Sequence, residues 1–247
     1  MEITKEHEND HLEAQKRLSY LTGYHKWSLN YLGNKLGNYI WDAGAGTGLL
    51  ADYLCTLNFK KLLLTEYTEE NLKILQQKYT YNENIHVQFC DLLNTKSNEL
   101  KIDKIDTVIL LDVVEHLEND LKGLKLIYDR LEPNGHLLIK TPAHQSLYCG
   151  IDEASLHYRR YSKKELKIKL EQAGFMVKKI KYMNMPGAIL YFIKGKILKK
   201  KTNFSRTISE NNLSWINRAI PLISTCEKIL PKFFGLSVIA IAEKPSL

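Results

Sequence analysis

The sequence contains no apolar run long enough to span a bilayer, so no membrane-crossing helix is predicted. Its opening residues, Met1-Glu2-Ile3-Thr4-Lys5-Glu6-His7-Glu8, are too charged for the apolar core of a secretory signal, and a cytoplasmic location is expected. Cysteine is scarce: Cys55, Cys90, Cys149 and Cys226 stand far apart and form no CxxC pair. Neither a disulfide framework nor a zinc site is indicated, and buried free thiols are the expectation. Internal repeats and low-complexity segments are absent as well.

What is present is ordinary globular material. With 247 residues, 44% of them apolar and 26% charged, the chain can bury one substantial core, which predicts a single domain. The formal charge of +7 would suit an anionic partner, but a Lys-rich composition spread over a solvated surface produces the same sum. The second reading is preferred, and nucleic acid is not expected as a partner.

Two helices are predicted first, over Lys5 to Leu21 and Tyr24 to Leu36, capping the α/β core. From Asn38 short apolar runs alternate with amphipathic stretches. Tyr39-Ile40-Trp41, Lys61 to Leu64, Ile85 to Phe89, Thr107 to Leu111 and His136 to Ile139 read as strands. Leu49 to Leu57, Glu69 to Tyr79 and Glu118 to Leu131 read as helices between them. Strands apolar on both faces and joined by helices imply a mostly parallel sheet wrapped on both sides. Pro133-Asn134-Gly135 marks a sharp turn. Thr141 to Tyr161 reads as a loop. Ser162 with Glu165 forms a capping box that opens a helix ending near Gly174, and a strand over Phe175 to Tyr182 comes next. Pro186 to Pro231 is helical and apolar-basic, an insertion before a last strand at Leu236 to Ala242. The expected architecture is therefore a Rossmann-like α/β domain with a seven-stranded sheet. It divides into N-terminal helices over 1–37, a core over 38–185, a helical insertion over 186–233, and a last strand and tail over 234–247.

Chemistry concentrates at predicted strand ends. Asp42-Ala43-Gly44-Ala45-Gly46-Thr47-Gly48 ends the first strand and opens a helix, a turn in which closely spaced glycines let backbone pass near a ligand. Dinucleotide-binding turns share this feature but place two residues before their last glycine, whereas the gaps here are one, one and one. Glu66 ends the second strand, where a carboxylate can accept both hydroxyls of a ribose. Cys90-Asp91-Leu92 ends the third, with an acidic group beside an apolar one, as an adenine amino group and ring would require. Asp112 ends the fourth.

This row, together with the run Leu111-Asp112-Val113-Val114-Glu115-His116-Leu117, resembles class I S-adenosylmethionine-dependent methyltransferases over Asn38 to Lys140. The Asp112-x-x-Glu115-His116 run resembles the branch containing ubiquinone-biosynthesis O-methyltransferases. Pro142-Ala143-His144, Asp152-Glu153 and His157-Tyr158-Arg159-Arg160-Tyr161 resemble a bacterial and archaeal subgroup associated with cell-surface sugar or lipid pathways. The resemblance implies S-adenosylmethionine as cofactor. Gly44 and Gly46 would meet its methionine part while Asp42 organises the loop. Glu66 would hold the ribose, Tyr67 would lie against the adenine, and Asp91 with Leu92 would meet the amino group and ring, with Asp112 alongside. A tight turn and helix caps are the alternative explanation of these residues.

His116 and His157 are the catalytic candidates, able to take a proton from an acceptor hydroxyl near neutral pH; a helix cap and a loop-pinning hydrogen bond are the respective alternatives. Asp112, Glu115, His116 and His157 also resemble the metal set of small-RNA 2′-O-methyltransferases. The rest of that pattern is absent, so no metal is assigned. Arg159 and Arg160 suit an anionic group of the acceptor or, equally, a salt bridge to Asp152 or Glu153. The expected activity is O-methylation of a small molecule such as a sugar or lipid-linked compound. Metal-assisted RNA 2′-O-methylation and a non-catalytic partner protein of the same fold stand as alternatives. No Asp/Asn-Pro-Pro-Tyr/Phe sequence comes after strand four, which argues against adenine-N6 and glutamine methylation. The insertion is read as a lid. A homodimer contact or a peripheral membrane contact through residues 188–201 remains open.

Overall fold

The computed structural model describes residues 22–31, 33–96, 99–200, 209–227 and 233–246; the helix expected over Lys5 to Leu21 lies outside them. Seven strands form one sheet: β1 Tyr39–Ala43, β2 Lys61–Glu66, β3 Ile85–Phe89, β4 Thr107–Leu111, β5 His136–Pro142, β6 Met176–Met183 and β7 Ser237–Glu243. Their order across the sheet is β3-β2-β1-β4-β5-β7-β6. β1 to β5 pair in parallel, while β7 runs antiparallel between β5 and β6. The order reverses direction at β1, next to β4, and such a switch point leaves a crevice at the carboxyl edge of the strands.

The apolar runs lie where two-sided burial demands. Ile40, Trp41, Leu62 to Leu64 and Val108 to Leu110 have no exposed surface. Two apolar clusters sandwich the sheet. One is built on Trp41, Leu63, Val108 and Leu137 under α4 Asp120–Arg130 and α6 Lys163–Gln172. The other is built on Ile40, Leu62, Leu64 and Ile109 under α1 Thr22–Asn30, α2 Leu49–Leu54 and α3 Glu69–Tyr79. The Ser162 cap forms as predicted: its hydroxyl accepts from Glu165 N at 3.2 Å, and Glu165 Oε2 accepts from Ser162 N at 2.7 Å.

Two details depart from the sequence expectations, one in the segment after β5 and one in the cysteines. Thr141 to Tyr161 is not plain loop, because it holds a 3-10 turn at Gln145–Leu147 and a short helix α5 Gly150–Ala154. The insertion comprises α7 Met185–Phe192, a π-helical continuation Ile193–Ile197, and α8 Glu210–Cys226 packed on α1. The cysteines are free, but only Cys90 is buried, while Cys55 and Cys226 are exposed. Among the described residues no helix is long and apolar enough to cross a membrane.

Ile109 sits in the middle of β4, fully buried between Asp42 of β1 and Leu138 of β5. Ile109→Ala should destabilise the fold by about 2–5 kcal/mol through lost burial and the cavity left behind. Urea unfolding monitored by circular dichroism measures this; a change no larger than that of a surface substitution would contradict the packing described.

Candidate active site

The carboxyl edge of β1 and β2 is knitted together before any ligand is considered. Gly44 N and Ala45 N both donate to the carbonyl of Thr65 at 2.9 Å, and Gly46 N donates to Glu66 Oε2 at 2.7 Å. The other Glu66 oxygen accepts from Tyr67 N at 2.9 Å and Thr68 N at 3.2 Å. Gly44, Gly46 and Gly48 all have positive φ, where a side chain is strained. A Cβ on Gly44 would also lie 2.5 Å from Val113 Cγ2 of the loop after β4. Glycine is therefore demanded by backbone conformation and by the close approach of two strand-end loops.

Asp42 is buried beneath this turn, and its Oδ2 has no hydrogen-bond partner. Burial, reinforced by the nearby charge of Glu66, pushes its carboxyl up to about 7. Among the described residues nothing pairs with this buried oxygen under the glycine turn, so it stays available to a polar group that enters there. Tyr67 is 52% exposed with its ring 5.9 Å from that of Phe89, leaving an aromatic surface beside β3. Leu92 is buried. Asp91 accepts from Leu93 N at 2.8 Å and from Asn94 Nδ2 at 2.7 Å, which fixes the turn after β3.

The loops after β4 and β5 make the second half of the site. Asp112 has φ 55° and pairs with Lys140, a lysine buried in β5 whose ammonium also lies 4.6 Å from the centre of the Tyr24 ring. A buried ammonium with one carboxylate and one ring face is held in place, because leaving it unpaired would be costly. Sequence reasoning missed Lys140; the one available signal was a charged residue directly after the apolar run Leu137 to Ile139. Asp112 precedes the 3-10 turn Val114–His116, so it does not share a helical face with Glu115. Glu115 is fully buried: Oε2 accepts from Thr141 Oγ1 at 3.0 Å and Oε1 is unpartnered. Burial first, and the Asp112 charge second, hold the Glu115 carboxyl well above the usual range.

His116 and His157, separated by forty-one positions in sequence, meet with ring centres 4.7 Å apart. One side-chain ligand atom from each of Glu115, His116 and His157 lies within 4.8 Å of the others, an arrangement able to hold a cation and closed without Asp112. His157 Nδ1 is 2.9 Å from Asp152 Oδ1. Asp152 is fully buried and also accepts from Arg160 Nε at 2.7 Å, Tyr191 Oη at 2.8 Å and Cys149 N at 2.9 Å. Burial alone would raise its carboxyl, but the hydrogen bond from His157 and the Arg160 charge hold it below the usual range. Arg160 is thus a loop-ordering residue paired with Asp152. Arg159 reaches Asp120 at 3.1 Å and the Glu118 carbonyl at 2.8 Å, rather than Asp152 or Glu153.

Residues 41–137 match the family described as a methyltransferase domain. The fold is that of the class I methyltransferases. A chain from the Haloferax volcanii complex between the Trm112 methyltransferase activator and a methyltransferase superposes with TM-score 0.66 at 14% identity, covering 100% of this chain and 99% of that one. An S-adenosylmethionine-dependent methyltransferase from Archaeoglobus fulgidus gives TM-score 0.56 at 22% identity, with coverage of 90% and 93%. Haemonchus contortus phosphoethanolamine N-methyltransferase 2, solved with S-adenosyl-L-methionine, gives 0.61 at 18%, covering 90% of this chain and 52% of its own. No curated protein matches by sequence.

The raised Asp42 carboxyl sets a pH dependence. The folded chain keeps that proton up to about 7, whereas the unfolded chain releases it near the ordinary value of 3.8. Stability therefore falls as pH rises from about 4 to about 7, by an upper bound of about 4 kcal/mol from this group. Asp42→Asn removes the effect, so the variant should gain on the parent chain as pH rises, measured by urea midpoints at pH 5 and 8. Parallel profiles would show that Asp42 titrates as an ordinary carboxyl.

Proposed function

We propose that the chain transfers a methyl group from S-adenosylmethionine to a hydroxyl of a small molecule. Support comes chiefly from one coincidence: the methyltransferase-domain match spans the strand ends at which Asp42, the glycine turn and Glu66 converge. These residues fit the donor, because a buried oxygen of Asp42 lacks a partner and the turn above it is built of positive-φ glycines, whose bare backbone a ligand can approach closely. Gly44 and Gly46 face its methionine part, and Glu66 takes the ribose. Tyr67 covers the adenine, Asp91 and Leu92 flank it, and Asp112 floors the crevice. A cytoplasmic location belongs to the same proposal.

When bound, the donor supplies an electrophilic methyl group, so the remaining task is to position the acceptor and remove its proton. His157 is suited to that proton. With Nδ1–H donated to buried Asp152, the imidazole is held in the tautomer whose Nε2 lone pair is free to accept. His116 packs edge-on against it and shapes the same pocket. The helices of residues 186–233 serve as a lid: Tyr191 of α7 donates to Asp152, tying lid position to base orientation.

Asp42→Ala and Gly44→Val should each abolish donor binding in calorimetry, with circular dichroism separating loss of the site from loss of the fold. His157→Ala should keep donor affinity while lowering turnover by about 10²–10⁴-fold, the usual worth of a general base. Donor binding undiminished in Gly44→Val would overturn the donor site, and full turnover in His157→Ala would overturn the base.

One observation favours a second reading, metal-assisted 2′-O-methylation of RNA: Glu115, which keeps one oxygen unpartnered, forms a cluster with two histidines that could hold a cation. Under the preferred reading, dialysis against a chelator leaves turnover and thermal stability unchanged. Loss of both, restored by a divalent cation, would select the second.

A further inference from the structure

Helix α7 and its π-helical continuation present two unlike faces. Ala188, Tyr191 and Gly195 are buried, and a Cβ on Gly195 would lie 2.4 Å from Cys149 Sγ, so this face is seated on the segment that carries Asp152. The other face carries Ile189, Phe192, Ile193 and Ile197, at spacings of three, four and eight residues from the first, and they are 52%, 45%, 39% and 61% exposed. Leu198 beside them is 56% exposed. A helix of a soluble domain normally turns such a stripe inward, and a contiguous apolar row left outside marks a contact surface.

The charge around the stripe identifies the contact. No Asp or Glu occurs between Glu171 and Glu210, whereas Lys194, Lys196, Lys199 and Lys200 fall in or directly after the stripe; Lys196 also donates to the Tyr148 carbonyl at 2.6 Å. Lys199 and Lys200 are exposed. We propose that this face docks on an anionic lipid bilayer surface, with the large apolar side chains entering the headgroup region and the lysines meeting lipid phosphates. Long lysine stems extend to the phosphate level while their apolar neighbours sit deeper, which suits an apolar row with exposed lysines at its C-terminal end. A second copy of the chain fits less well. A two-fold contact through this stripe would set the same lysines against one another, with no carboxylate in the segment to offset them.

The test is co-sedimentation of the full chain with vesicles of phosphatidylcholine alone and of phosphatidylcholine mixed with phosphatidylglycerol. Binding is expected only to the anionic vesicles and should weaken with salt. The double variant Phe192→Glu/Ile197→Glu and, separately, Lys199→Glu/Lys200→Glu should each reduce it by about tenfold or more with unchanged thermal melting. Folded variants that bind like the parent chain would overturn the proposal. Equal binding to neutral vesicles would overturn its electrostatic half. A parent chain that ignores vesicles and sediments as a dimer in ultracentrifugation would assign the stripe to a second copy.

Discussion

The carboxylate of Asp152 is the point on which the segment after β5 and the inserted helix α7 are anchored. It is fully buried and accepts from four groups: the Cys149 amide, the Arg160 guanidinium, the Tyr191 hydroxyl and the His157 ring. Those donors belong to the short helix after β5, to the His157–Tyr161 segment and to the inserted helix α7. None of these pieces has a large apolar core of its own. Without the shared anion, each would have to satisfy a buried polar group elsewhere, at a cost of a few kcal/mol apiece. Because a charge-assisted bond is strong and directional, the same contact that holds the loop also sets the plane of His157.

The carboxyl edge of β1 and β2 is organised on a different principle. There backbone does most of the holding: the Thr65 carbonyl takes two amides of the glycine turn, and Glu66 closes the turn through Gly46. Asp42 and Glu115 lie beneath as buried carboxyls with raised pKa, each with one unpartnered oxygen. Two such groups near the switch point of one sheet store a polarity that the apolar core cannot relax. A fold that only had to be stable would place apolar residues there, so these positions are the strongest physical argument that the crevice is built for a polar guest.

Much of this was legible from the sequence because it depends on local chemistry. The glycine spacing in Asp42 to Gly48, the Ser162–Glu165 cap and the doubly apolar strands each depend on residues within a few positions of one another, and they fix the sheet and the row of strand ends. The meeting of His116 with His157 was expected at the level of the sheet edge, since both come after adjacent strands. The hidden part is collective. That Lys140 would neutralise Asp112, or that Arg160 would choose Asp152 while Arg159 chose Asp120, depends on where three loops settle against one another. The helix within Thr141 to Tyr161 was illegible for a related reason: five residues carry too little periodicity, and α5 is stabilised by its cap and by Asp152 rather than by its own pattern.

The outward stripe of α7 and the inward network of Asp152 occupy opposite faces of one helix. Tyr191, one residue before exposed Phe192, bonds to the carboxylate that orients His157. Anything that lifts or rotates α7 must therefore either break the Tyr191–Asp152 bond or carry Asp152 with it, and in both cases the imidazole loses its fixed tautomer or its angle. Coupling between the outer face of α7 and the His157 ring thus requires no long pathway here. It needs only that the helix carrying the exposed stripe also supplies a donor to the anion beside that ring.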